Sequence, residues 1–281
     1  MKHSSTPKFI ILLAASVLQI SASGQTNTTQ ISDFTLAPQM QATAKELLGA
    51  TLPNKILAGF LSVETSDRKG NFGRKIETRY NFELVNLESG LTGAQSTAAQ
   101  TDGKAIGRGS SLWLCGLVLL LTEAQSTNTI DATTALPVGR LFVPFGMKSS
   151  TEFSSRYLVT SLTSSASSLC NPAPGTELSA RIEADRTIRT QGLFSKTNSF
   201  KLVQEIRCTV GTEPKAGKLL HESVLGDYLE VECKISMPDS KTGTAKYAFL
   251  IESRYYLPIE ETNEWQSSIT KYTGFRYSAA N

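Results

Sequence analysis

Histidine is almost missing from this 281-residue chain, which has only His3 and His221. A multi-histidine metal centre or a histidine-dependent triad would have to be built around His221 alone, because His3 lies in a removable leader. His221 stands beside Glu222 in a polar loop spanning 212–226, the setting of a solvated imidazole. No Gly-x-Ser-x-Gly nucleophile elbow is present. Ser66-Asp67-Arg68-Lys69 and Ser268-Ile269-Thr270-Lys271 match Ser-x-x-Lys by letter, but turn and strand contexts do not set Lys one helical turn from Ser. Gly103-Lys104 with Gly107 and Gly109 has the wrong spacing for a phosphate loop, and a strand follows it where a helix is needed. No cofactor and no metal site is implied.

An excess of one charge is also lacking: 28 Lys+Arg stand against 25 Asp+Glu, a formal charge of +3 that falls to +1 once Lys2 and Lys8 leave with the leader. The basic residues alternate with acids and form no stripe, which argues against nucleic acid as a partner. Long apolar runs are missing too. Phe9–Ile20 and Leu112–Leu121 are the longest, and both fall short of the roughly 20 residues of a membrane-crossing helix.

The first of those runs follows Lys2 and Lys8 and precedes Ala22-Ser23-Gly24, the small residues that a signal peptidase requires. Residues 1–24 therefore read as a Sec-type signal peptide with cleavage near Gly24, and the mature protein as periplasmic or extracellular with no transmembrane helix. Residues 25–52 form an N-terminal extension in which Pro38 and Gly49 bracket a short helix, Gln39–Leu48. The remainder, 53–281, reads as a single antiparallel β domain.

Period-two alternation carries that reading. Phe200, Leu202, Ile206, Cys208 and Val210 share one face of a strand, broken only by Gln204. Leu229, Val231, Cys233, Ile235 and Met237 repeat the pattern, and a third run holds Tyr247, Phe249, Ile251, Tyr255 and Leu257. A hairpin is expected from Leu61 and Val63 through a turn at 66–71 to Ile76, Thr78, Tyr80, Phe82 and Leu84. Leu112–Leu121 reads as one strand buried on both faces, Phe153–Leu162 and Leu178–Ile188 as further strands, and Trp265–Tyr277 as a closing strand. The Gly/Ser/Thr-rich segment 86–111 reads as a mobile loop, and Thr122–Thr134 as a second polar gap. The predicted fold is mainly β: an antiparallel sandwich or partly open barrel of about nine strands with one short N-terminal helix. An outer-membrane barrel would alternate similarly, but the outward positions here are charged.

The four cysteines fit an oxidising compartment. Cys208 and Cys233 face one core, and closing the loop between them stabilises by about 3 kcal/mol in the chain-entropy model. Cys170, in the loop 164–174, is then the natural partner of Cys115. Arg-Tyr occurs four times, at Arg79, Arg156, Arg254 and Arg276, in a chain with only eight tyrosines. The plain account sets each Tyr in the core and each Arg on a rim; the sharper one gathers the four arginines to bind an anion. A carboxylate pair, Glu183 and Asp185, shares one strand face, as a glycosidase's acid and base would.

These observations favour a non-catalytic binding or envelope-interaction protein. Its partner would be a small ligand held near the aromatic residues, or another envelope protein. Two alternatives are a carboxylate-dependent hydrolase, which needs two buried acids in a cleft, and a structural subunit of an envelope assembly, which needs an exposed apolar patch or free strand edge, for example near Leu112–Leu121.

Overall fold

A computed structural model describes residues 34–49, 55–56, 59–67, 76–87, 90–100, 105–138, 141–165, 169–191, 195–237, 242–262, 267–275 and 278–279. The expected signal peptide, 1–24, lies outside the described residues, as do Trp265, Arg276 and Tyr277. The helix α1 (Pro38–Leu48) is present where the sequence indicated. Pro38 occupies the first turn, where no backbone N–H is required, and Gly49 leaves the helix at φ 81°. Met40, Ala44 and Leu47 recur at helical spacing and are buried in the main core with Leu36.

All the long strands belong to one antiparallel sheet. In chain order they are β2 (Gly59–Asp67), β3 (Ile76–Asn86), β4 (Thr92–Gln100), β5 (Ala105–Leu114), β6 (Val118–Val138), β7 (Leu141–Ser164), β8 (Glu177–Gln191), β9 (Lys196–Val210), β11 (Asp227–Ser236), β12 (Thr242–Leu250), β13 (Tyr255–Thr262) and β14 (Ser267–Gly274). Three two-residue strands complete the set: β1 (Lys55–Ile56) pairs with β15 (Ser278–Ala279), and β10 (Lys215–Ala216) extends the sheet beside the start of β11. Among the long strands each pairs with the next in sequence. β14 returns to β2, and β11 pairs with β12 on one side and β9 on the other.

The sheet is nevertheless open. The β13–β14 ladder has only the pairs Glu260↔Ile269, Glu261↔Ser268 and Thr262↔Ser267, so Tyr255–Ile259 run without β14 beside them. The apex of the β5–β6 hairpin meets that gap, where the Tyr256 N–H donates to the Cys115 carbonyl at 2.8 Å.

Twelve long strands replace the roughly nine expected. Segment 86–111 holds no long loop: β4 and most of β5 lie there, paired from Thr92↔Trp113 to Ala99↔Ala105. Their inward positions are small, with Ala94, Ser96 and Ala98 buried, and a Cβ on Gly109 would meet the Glu123 carbonyl at 3.2 Å. Leu112–Leu121 is likewise not one strand. It folds back at Cys115-Gly116, both at positive φ (46° and 77°), with Leu117 N–H donating to the Leu114 carbonyl, the pattern of a tight hairpin turn. Its burial was correctly anticipated, since Leu112, Leu114, Val118, Leu120 and Leu121 are all at most 2% exposed. The polar gap 122–134 is the continuation of β6, which pairs with β7 from Leu121↔Leu158 to Val138↔Leu141. The third run of the meander is two strands, β12 and β13, joined by a turn that leaves Ile251 exposed.

Elsewhere alternation holds closely. In β8, Leu178, Ala180, Ile182 and Ala184 are buried while Glu177, Arg181 and Asp185 are exposed. In β11, Leu229, Val231, Cys233 and Ile235 face the core while Glu232 and Lys234 face out. The outer face carries solvated ion pairs, Arg181–Glu205 at 3.3 Å and Lys246–Glu232 at 3.0 Å. A bilayer-spanning barrel inverts this arrangement, with an apolar exterior and a polar lumen. Around β8, β9, β11 and β12 the body is built to face water.

Candidate functional site

The chemistry inside the sheet gathers where β13 and β14 part. A register shift between Lys246 and Tyr247 of β12 adds one residue to β13, so that Glu261 falls opposite Ala245 on one side and Ser268 on the other. Both neighbours are 2% exposed, as is Glu261 itself, whose carboxylate oxygens are shut off from solvent. Two positions along β12 stands Tyr247, also buried. The Tyr272 hydroxyl of β14 reaches across the gap and donates to the Pro258 carbonyl.

Aromatic rings pack round this point. Tyr256 lies edge-on to Tyr247 at 6.3 Å and tilted to Phe249 at 4.7 Å, and its hydroxyl donates to the Leu169 carbonyl at 2.7 Å. Tyr272 meets Phe275 edge-on at 6.3 Å. Burial pushes the Tyr247 phenol well above its ordinary value, and the nearby Glu261 carboxylate pushes it further. Tyr272 is raised mainly by burial, then by Tyr255, Glu261 and Tyr247. Burial also raises Tyr255 and Tyr256. These phenols stay neutral, as hydrogen-bonding groups beside one acid in apolar surroundings. Such a site can orient a ligand's hydroxyl or amine, but it does not supply the two opposed acids of a hydrolytic pair.

The cysteines meet as expected. Cys115–Cys170 ties the β5–β6 apex to the 165–176 loop, and Cys208–Cys233 bridges directly opposed residues of β9 and β11 with Cα atoms 4.0 Å apart. Of the Arg-Tyr pairs, Tyr80, Tyr157 and Tyr255 are buried, as the plain account requires. Arg79 is exposed on β3, Arg156 is ion-paired with Glu123 at 3.2 Å from β7, and Arg254 lies in the β12–β13 turn at φ 49°. Arg276 lies outside the described residues. Glu183 and Asp185 sit on the outer face of β8, where Arg181 engages Glu183 at 3.3 Å. His221 accepts from the Ser223 N–H at 3.2 Å within its loop. Gly107 and Gly109 belong to β5, so they form no phosphate loop.

Glu261 was not found from the sequence. Glu260-Glu261-Thr262 reads as a solvated strand end, and only the bulge opposite Lys246 and Tyr247 turns Glu261 toward the core. No protein-family model matches the chain, and no curated protein or solved structure shows significant similarity to it.

Proposed function

We propose that the protein is a non-catalytic binding or envelope-interaction protein of an oxidising compartment, periplasmic or extracellular, that holds a small ligand at the β13–β14 parting. The observation that carries this reading is one buried carboxylate, Glu261, set among the neutral phenols of Tyr247 and Tyr272 where two strands separate. An anchoring polar group in aromatic surroundings is what a small-molecule site needs. Two disulfides support the compartment. Among the described residues no helix is long and apolar enough to cross a membrane. The hydrolase reading is weakened because Glu183 and Asp185 lie on the outer face of β8, whereas Glu261 of β13 is buried. Within Leu112–Leu121, where an assembly subunit would show its patch, Leu112, Leu114, Val118, Leu120 and Leu121 are buried, and the paired Trp113 and Leu119 are half-buried.

Native mass spectrometry of protein isolated gently from an oxidising compartment tests the reading. The expected result is a mass lowered by four hydrogens together with an adduct that leaves on denaturation and is lost in Glu261→Gln. A bare protein from every preparation, with the variant indistinguishable, would sink it. Anion capture by Arg79, Arg156, Arg254 and Arg276 is a separate proposal resting on the recurrent Arg-Tyr dipeptide. Changing Arg79, Arg156 and Arg254 to Gln should abolish binding of inorganic phosphate in calorimetry; unchanged heats would dispose of it.

A further inference from the structure

A second parting lies beside β9. Its ladder to β11 ends at the pair Ser236↔Glu205, so from Lys196 to Gln204 β9 has β8 on one side and, among the described residues, no strand on the other. Burial follows this opening. Leu178, Ala180, Ile182 and Ala184 of β8 are buried, and the same face continues to Arg186 and Ile188, which are half-buried. On β9 the face passes from Ile206 and Gln204, both buried, to Leu202 and Phe200, both half-buried. The core face of the sheet comes within reach of solvent where β11 leaves it.

A cation stands at that point. Arg186 lies between Tyr157 of β7 and Phe200 of β9, directly opposite each. Opposed residues share a face, so Arg186 shares the core face with the buried Tyr157. The acids of these strands alternate onto the other face: Glu152 of β7, Glu177, Glu183 and Asp185 of β8, and Glu205 of β9. There Arg181 engages Glu183 and Glu205, each at 3.3 Å. Among the described residues Arg186 makes no ion pair. Burial lowers its guanidinium from the ordinary value, and the neighbouring Tyr157 works against that shift. A charge partly withdrawn from water without a counter-ion is costly, and a bound anion would supply one.

The surroundings define the anion. One cation in a half-buried setting matches one negative charge, since a second would be left uncompensated. The guanidinium fork fits two carboxylate oxygens side by side. The Tyr157 hydroxyl is a neutral donor beside it, and Phe200 and Leu202 offer apolar surface. Burial resumes at Ile182↔Gln204, four β8 residues from Arg186, or about 13 Å along the strand. We infer that the parting of β9 from β11 is a binding site for a monocarboxylate with an apolar body, its carboxylate on Arg186 and Tyr157 and its apolar part along Phe200 and Leu202. The site does not rest on the reading of Glu261, which belongs to β13.

The test is calorimetry of the full mature chain with decanoate below its micellar concentration, a chain comparable in length to the step from Arg186 to Ile182. Saturable binding is expected, weakened roughly tenfold or more in Arg186→Gln, and equally when decanol replaces decanoate, as the loss of a charge-assisted hydrogen bond requires. Tyr157→Phe should weaken it severalfold, and Arg181→Gln, on the outer face, should leave it unchanged. Because Arg186 has no counter-ion, Arg186→Gln should melt no lower than wild type, which separates lost binding from lost fold. Arg186→Lys keeps the charge without the fork and should bind more weakly with the same melt. No binding by the wild type, equal binding by Arg186→Gln, decanol binding as well as decanoate, or displacement of decanoate by inorganic phosphate would each overturn the inference. A lower melt for Arg186→Gln would do so too, by showing that the guanidinium serves the fold.

Discussion

Two residues show how tightly local chemistry is matched to its surroundings. Gly116 holds φ 77° at the β5–β6 apex, and a Cβ there would lie 2.5 Å from the Tyr256 carbonyl and 2.6 Å from the Tyr255 ring. Both the left-handed backbone and the close approach call for glycine. Gly116→Ala should cost on the order of 3 kcal/mol, adding strain to overpacking, and so lower Tm by roughly 6–12 °C; a melt within about 2 °C of wild type would refute the close approach. Gln204 is the opposite case. It alone broke the apolar alternation of β9, and it is 2% exposed with neither amide atom hydrogen-bonded, opposite Ile182. Gln204→Leu keeps the volume and removes a desolvated amide, so it should raise stability by about 1 kcal/mol. Urea denaturation reads this directly, and a destabilised variant would mean that the amide is engaged in solution.

At the scale of elements, what could be read in the sequence depended on what each strand faces. β8, β9 and β11 have a core on one side and water on the other, and their alternation named most of the buried residues, including both partners of Cys208–Cys233, although Phe200, Leu202 and Met237, expected inward, are only half-buried. β4 and β5 face the interior with Ala94, Ser96 and Gly109 because neighbouring backbone lies close, so the large apolar residues that normally mark a strand are absent. Where β6 pairs with β7 from Ser126↔Phe153 to Thr129↔Ser150 the chain is rich in Thr and Ser, so no run of large apolar residues marks a strand there in the sequence. The hairpin inside Leu112–Leu121 was hidden because Cys-Gly is an unusual turn dipeptide and a run apolar throughout has no period. The two disulfides divide in the same way. Both are buried, and they close loops of 25 and 55 residues, with expected contributions of about 3 and about 4 kcal/mol in the chain-entropy model. Replacing Cys208 and Cys233 by Ala should lower stability without reshaping the β13–β14 parting. Replacing Cys115 and Cys170 should, in addition, loosen the apex from Tyr256 and raise amide exchange at Tyr256, whose N–H bonds to Cys115. Equal exchange in the two double variants would show that the apex holds without its disulfide.

At the scale of the whole molecule, the interior is rich in phenols that cannot ionise without leaving it. Burial is the leading cause that raises Tyr157, Tyr247, Tyr255, Tyr256 and Tyr272 above the ordinary value of 10.0, and Tyr228 shifts the same way for the same leading reason. A tyrosine raised in the folded state holds its proton where the unfolded chain has released it. The stability it confers is therefore complete below pH 10 and is lost as pH climbs from 10 toward the folded value. The tyrosines are spread over β7, β11, β12, β13 and β14, so their linkage acts on the sheet as one unit and not on a single strand. An alkaline titration should show most phenolate absorbance at 295 nm appearing together with the loss of β-sheet circular dichroism, in one transition above pH 10. Glu261→Gln removes a carboxylate that pushes Tyr247 and Tyr272 upward, and should let those two ionise at slightly lower pH with the sheet otherwise intact. If the phenols instead titrate near 10 with the sheet still folded, the tyrosines reach solvent in solution and the interior at the β13–β14 parting is wet, which would favour a larger and more open ligand site than the packed geometry describes.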